Sequence, residues 1–147
     1  MTHTTISDSI SYCTFRVNDL LFGVEVQKVQ EVLRSQPTTV VPLSPPVVHG
    51  LMNLRGQIVS ALSLRERLGV PADGHEDRSM NIVIRSDDGP ISILVDEIGD
   101  VIRVDESQFE PAPEALQGKQ RELTQGAYKL DEGLLLILDT ERVIGNG

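Results

Sequence analysis

Two stretches of this chain recur in its second half, and a duplicated unit narrows the folds open to it more than any other feature of the sequence. With Phe22 set against Ile91, residues Val24, Val26, Val29, Glu31, Val32 and Leu33 fall opposite Ile93, Val95, Ile98, Asp100, Val101 and Ile102, so that apolar or acidic character is kept at each. At a slightly larger offset Gly50 and Leu54 meet Gly126 and Leu130, and Ile58 to Leu62 meets Leu134 to Leu138. These later runs also end alike. Ser63 and Asp139 suit a helix N-cap, each opens a short helical stretch, and Gly69 or Gly145 suits the C′ position beyond it. Glu66, placed after Ser63, completes a capping box.

Between these landmarks the apolar residues come in short runs rich in Val, Ile and Leu, broken by turn residues at the spacing of an all-β sandwich or barrel. Tyr12 to Val17 reads as a strand with Phe15 and Val17 on one face, Asn18-Asp19 as a tight turn, and Leu20 to Val24 as the returning strand. Met80 to Arg85 and Ile91 to Val95 form a second hairpin across Ser86 to Pro90, where Gly89 accepts positive φ. Pro71 to Arg78 reads as the linker between halves. The expectation is an all-β fold with short helices: a flexible tail over residues 1–10, then one domain over 11–146. That domain comprises two similar small barrels, each closed by a short helix, built from about 11–70 and 79–146, with exchange of strands between them left open.

Charge and composition then remove several functions. Thirteen basic residues against 22 acidic ones give a net charge of −9, with no basic block, so a polyphosphate backbone or an anionic membrane would be repelled. With two Tyr, three Phe and no Trp there is little to stack on bases. A small barrel binding single-stranded nucleic acid is therefore the alternative reading, and neither nucleic acid nor direct membrane insertion is expected. The longest aliphatic run, Leu134 to Leu138, is too short for a spanning helix. Cys13 has no partner for an internal disulfide, and residues 1–9 lack a basic start and an apolar core, so a reducing cytoplasm is expected.

Catalytic readings find little support. His3, His49 and His75 fall in no paired motif, and neither a Gly-x-Ser-x-Gly elbow nor a phosphate loop is present. A phosphorylated His49 is disfavoured because Pro45-Pro46-Val47-Val48 leads into it as extended chain. Cys13 reads as a small buried apolar residue in a strand. Asp96, Asp100, Asp105 and Glu106 lack the spacing of a calcium loop and read as a solvated acidic face. No catalytic residue, cofactor or metal is expected.

Where the halves differ is where function is sought. Asn53-Leu54-Arg55-Gly56 carries an arginine, and its counterpart Lys129-Leu130-Asp131-Glu132-Gly133 does not. At this point the sequence resembles the CheW-like family of chemotaxis coupling proteins. The resemblance runs through Phe22-Gly23-Val24-Glu25-Val26, Lys28-Val29-Gln30-Glu31-Val32 and Gly50-Leu51-Met52-Asn53-Leu54-Arg55-Gly56. It continues through Ile93-Leu94-Val95-Asp96, Pro111-Ala112-Pro113 and Gly126-Ala127-Tyr128-Lys129-Leu130, and so covers Tyr12 to Ile144. The match departs from the family at Ser60-Ala61-Leu62-Ser63-Leu64-Arg65, where Pro-Val-Ile-Asp-Leu-Arg is common, and at Ser92, where glycine is usual.

The resemblance implies two intertwined five-stranded SH3-like barrels and a non-catalytic adaptor. Such an adaptor couples the cytoplasmic tip of chemoreceptors to the regulatory domain of a CheA-type histidine kinase. It would be cytoplasmic and recruited to membrane receptor clusters, and the pathway served could be flagellar or non-flagellar. A receptor-binding groove is implied at Val29, Glu31, Gly50, Leu54, Arg55, Gly56 and Ser92. Kinase contacts are implied at Val40, Val41, Glu110, Glu114 and Ala115, although Ala115 is small for an interface anchor.

Each of these has a plainer structural reading. Arg55 could be a solvated arginine at a hairpin turn; under the resemblance it reaches Glu31, guanidinium to carboxylate. Val26, Val29 and Val32 are spaced like one face of a helical turn and suit a core role better than partner contact, Val29 being the first candidate for contact. Gly50 and Gly56 serve either a bulge or positive φ, or the close approach of a partner helix, and the sequence leaves both open.

Overall fold

The computed structural model describes residues 9–43, 48–71 and 79–145. Ten strands and three short helices follow in order: β1 (Ser9–Val17), β2 (Leu20–Glu25), β3 (Val29–Leu33), β4 (Val48–Leu54), β5 (Gln57–Ser63), α1 (Leu64–Leu68), β6 (Met80–Ile84), β7 (Ile91–Val95), β8 (Glu97–Asp105), α2 (Gly118–Glu122), β9 (Thr124–Leu130), β10 (Gly133–Leu138) and α3 (Thr140–Gly145). Strands take up 54% of the described residues. Both expected hairpins form, β1 with β2 and β6 with β7. β1 starts earlier than expected: Ser9 and Ile10 pair with Asp105 and Val104 and so belong to the sheet, not to a tail. The remainder of the expected tail, and the expected linker apart from Pro71, lie outside the described residues.

The strands form two five-stranded sheets, β8-β1-β2-β10-β9 (sheet A) and β3-β6-β7-β5-β4 (sheet B). They are the two SH3-like units of the expected fold, although in each the two edge strands are not joined by a ladder of hydrogen bonds. Neither sheet corresponds to one half of the repeat. Sheet A takes β1 and β2 from the first half and β8 to β10 from the second, and sheet B takes the reverse share. The duplication extends to irregularities of register: a shift falls between Val29 and Glu31 where β3 meets β6, and between the pairs Cys13–Val101 and Phe15–Ile98 where β1 meets β8. A second pair of shifts lies between Val48 and Gly50, and beside Ile137 and Leu138.

Interleaving puts the largest core between the sheets. Phe15, Val17, Phe22 and Val24 of sheet A pack with Ile82, Ile84, Ile93 and Val95 of sheet B, together with Leu64, Leu68 and Val143 of the helices. A smaller core lies on the other face of each sheet: Met52, Leu54, Val59, Ala61, Val83 and Leu94 in sheet B, Tyr12, Tyr128, Leu135 and Ile137 in sheet A. Central strands thus have both faces covered, which is why the ends of β6, β7 and β10 read as apolar runs without alternation.

The helices are held as their sequences suggest. Ser63 Oγ accepts the Glu66 N–H at 3.3 Å, and Gly69 stops α1 in the left-handed conformation at φ 74°. Asp139 Oδ1 accepts the Arg142 N–H at 3.1 Å. Gly145 differs from expectation, being the last residue of α3 itself without positive φ.

Candidate functional site

The β4–β5 hairpin turns on Arg55 and Gly56, both at positive φ, 54° and 87°, as a two-residue turn that follows the twist of its strands requires. Asn53 Oδ1 accepts the Gly56 N–H at 2.9 Å and fixes the turn. Gly56 is therefore a glycine for its backbone: a Cβ there would meet nothing within 4 Å. Gly50 has a different reason. A Cβ would lie 2.6 Å from the Thr39 carbonyl oxygen, where the segment after β3 crosses β4 and bonds Leu51 in both directions. Gly126 is closed in the same way by the Glu110 carbonyl at 2.5 Å, beside the Glu110–Ala127 bridge. The close approach that requires Gly50 is thus made by this chain's own backbone.

From this turn Arg55 donates to the Glu31 carboxylate. The arginine side chain is 71% exposed and the glutamate 16%. The carboxylate raises the guanidinium above its already high range. Glu31 belongs to β3 and Arg55 to the turn beside β4, and these are opposite edges of sheet B, so the pair spans the side the hydrogen-bond ladder leaves open. Arg85 steadies the approach to Glu31: its N–H donates to the Lys28 carbonyl at 2.9 Å and its guanidinium to the Val29 carbonyl at 3.0 Å. In sheet A the repeat puts Asp100 at the position of Glu31 and Asp131-Glu132 at the turn. Asp100 and Glu132 there line a cleft of about 220 Å³ with Arg16 and Glu97.

The other expected groove residues divide. Val29 is half-buried against the shared core. Leu54 is a core residue of sheet B. Ser92 has no exposed surface at all, its hydroxyl donating to Asn81 Oδ1 at 2.8 Å, so it cannot touch a partner. The core role expected of Val26 and Val32 is overturned, since both are exposed: Val26 opens a 3-10 turn and Val32 points outward from edge strand β3. Ile58, 63% exposed at the start of β5, was missed because it belongs to an apolar run whose other members are mostly buried. The repeat reproduces both exposures, as Val101 and Leu134, the counterparts of Val32 and Ile58, are exposed too.

The expected kinase contacts fall on equivalent connections of the two sheets. Val40 and Val41 precede β4, with Val40 strongly exposed. Glu110, Glu114 and Ala115 precede β9; Glu114 and Ala115 are exposed, and Glu110 lies 3.7 Å from Lys129.

The acidic residues expected to form a solvated face do not behave as one group. Asp96 accepts from Arg65 and from the Asn18 N–H, and is a structural carboxylate. Asp105 caps a 3-10 turn through the Ser107 N–H, which holds its carboxyl below the usual range. Among the described residues no group of three His, Cys, Asp or Glu side chains is placed to hold a metal ion. His49 lies in β4, in extended chain as expected. Cys13 is half-buried, and burial pushes its thiol up, away from the thiolate a nucleophile needs.

Two interleaved five-stranded units, with an ion pair across the open side of one, define an SH3-like interaction module of duplicated origin. Residues 11–146 match the CheW-like domain, and the chain belongs to that family. It is 34% identical over 130 residues to a chemotaxis protein CheW from Bacillus subtilis, covering 88% of this chain and 83% of that protein. To a chemotaxis protein CheW from Thermotoga maritima it is 28% identical over 143 residues, covering 95% and 93%. The crystal structure of the scaffolding protein TtCheW from Thermoanaerobacter tengcongensis superimposes with a TM-score of 0.79 at 26% identity, over 88% of each chain. No helix among the described residues is long and apolar enough to cross a membrane.

Proposed function

We propose that this chain is a chemotaxis adaptor, a non-catalytic scaffold that couples the cytoplasmic tip of chemoreceptors to the regulatory domain of a CheA-type histidine kinase. Family membership supports the scaffold role. The observation that carries the site is the Glu31–Arg55 pair, which uses a half-shielded carboxylate to hold an exposed guanidinium at the tip of a strained turn. In this reading the receptor helices lie against Arg55, Gly56 and Glu31, with Val29 below and Val32 and Ile58 supplying apolar surface. The kinase meets the connections that carry Val40 and Val41 in sheet B and Glu110, Glu114 and Ala115 in sheet A. The adaptor works in the cytoplasm, is drawn to membrane receptor clusters by its partners, and acts by holding them in a signalling geometry.

The test is binding of the purified chain to the regulatory domain of a CheA-type kinase from the same organism, with and without a receptor-tip fragment. Saturable binding to both, with receptor binding alone weakened in Arg55→Glu, is the expected result. A well-folded chain that binds neither would leave the fold without the function.

A further inference from the structure

The three short helices carry Arg65, Arg67, Lys119, Arg121 and Arg142, a large share of the chain's 13 basic residues. Of its 22 acidic residues they carry only Glu66, Glu122 and Glu141. Arg65 is paired with Asp96, and the remaining cations gather in a chain of net charge −9. Arg67, Lys119 and Arg142 converge there on a cleft of about 210 Å³, with Glu122 and the buried Leu123 completing its lining.

Each cation is placed differently. Arg67 reaches from α1 to the end of α3, its Nε donating to the Val143 carbonyl at 3.1 Å and its Nη2 to the Arg142 carbonyl, so the guanidinium is fixed before anything binds. The Lys119 stem passes α1 at its left-handed stop, with Cδ 3.8 Å from where a Cβ on Gly69 would sit, and its ammonium has no ion-pair partner among the described residues. Arg142 keeps 61% of its side chain exposed while its Nε lies 3.5 Å from Asp139. A single phosphate is best held by donors converging on one point or by an open guanidinium fork. In this cleft the forks are partly used, because Arg67 spends two donors on carbonyls and Arg142 turns its Nε toward Asp139. The positive groups of the cleft come from three different helices, which suits several carboxylates along a chain.

We propose that the α1–α2–α3 cleft docks an acidic segment of a partner protein, one that carries several Asp or Glu side chains. None of its residues takes part in the Glu31–Arg55 pair, and although Lys119 and Glu122 share the β8–β9 connection with Glu110, Glu114 and Ala115, none of those three lines the cleft, so the surface is distinct from the adaptor contacts and stands whether or not those bind as proposed. Its location has a kinetic consequence: on a protein whose overall charge repels acidic partners, one gathering of cations orients them before contact.

The full chain, labelled with ¹⁵N, is titrated with hexaglutamate, with hexaglutamine and with inorganic phosphate while backbone amide signals are followed. Hexaglutamate should shift the signals of Arg67, Lys119, Glu122 and Arg142 saturably, and less strongly as salt is raised. Lys119→Glu with Arg142→Glu should weaken its binding roughly tenfold, and Glu122→Gln should strengthen it roughly twofold. Arg103→Glu on β8 changes net charge without touching the cleft and should have little effect. If the double reversal disturbs the fold, the milder Lys119→Gln provides the same comparison with a smaller loss. Shifts centred elsewhere, equal shifts with hexaglutamine, or an equal loss in Arg103→Glu would overturn the proposal. So would phosphate moving these same signals where hexaglutamate does not, which would make the cleft a small-anion site.

Discussion

Asp96 and Arg65 tie the two sheets together at the point where the chain passes from one to the other. Arg65 lies on α1 behind sheet B, and its Nε and Nη2 donate to the two Asp96 oxygens at 3.0 and 2.8 Å. Asp96 separates β7 of sheet B from β8 of sheet A, and its Oδ2 also accepts the Asn18 N–H of the β1–β2 turn at 2.7 Å. The side chains are 13% and 26% exposed, so the pair is shielded without being sealed from water.

Asp96→Ala should therefore cost about 2 kcal/mol, more than an exposed pair and less than a sealed one. Urea unfolding at neutral pH measures it. A loss near zero would mean that solvent already screens the pair and that the sheets are held by their shared core alone.

The Glu31–Arg55 pair makes a different prediction, since its arginine is open to solvent and its work is to position a surface. Arg55→Glu should leave unfolding by urea nearly unchanged and weaken receptor-tip binding about tenfold. Glu31→Arg combined with Arg55→Glu should recover part of that binding, measured by titration calorimetry. Absence of any recovery would show that Arg55 contacts the partner directly and owes nothing to Glu31.

Ser92→Ala reverses that pattern. Removing the buried hydroxyl leaves Asn81 Oδ1 without its donor, at a cost of about 1–3 kcal/mol, while affinity for both partners stays as it was. A variant of native stability with weakened receptor binding would contradict the burial of Ser92.

Alkaline pH should expose the smaller core of sheet A. Burial first, and then the hydrogen bond with Tyr128, push the Tyr12 hydroxyl above its ordinary value of 10.0. The unfolded chain therefore gives up this proton before the folded one does, and its contribution to stability is whole below about pH 10 and falls as pH rises beyond it. Thermal unfolding scans should show Tm dropping above that pH, with a shallower drop in Tyr12→Phe. Parallel curves for the two proteins would remove Tyr12 as the cause.

Much of this architecture is legible in the sequence because a repeat displays itself twice. The helix caps at Ser63 and Asp139 and the special status of Arg55 follow from comparing one half with the other, and the two hairpins from apolar runs joined by turn residues. The allocation of strands to sheets does not, because a strand's apolar pattern says that it is buried and not which strand lies beside it: β1 carries the same pattern whether β3 or β8 is its neighbour. Ser92 and Leu54 look like groove residues in a linear motif, yet strand alternation and the second core turn both inward. Val32 and Ile58 look like core because they are aliphatic, and their exposure depends on an edge strand and a strand start that periodicity does not locate. Asp96 is misread for a related reason, since its partner Arg65 comes from a helix far away in sequence.

The interleaving of the sheets also governs the order in which a newly made chain can fold. Sheet B is drawn wholly from consecutive residues, β3 to β7, whereas sheet A joins the first two strands to the last three. As the polypeptide leaves the ribosome, β1 and β2 emerge first and must wait, with Tyr12 and Leu21 uncovered, until β9 and β10 have followed. A ribosome that stops after β7 would release a chain with one sheet complete and an unmatched hairpin, a substrate for chaperones or proteases and not half of an adaptor.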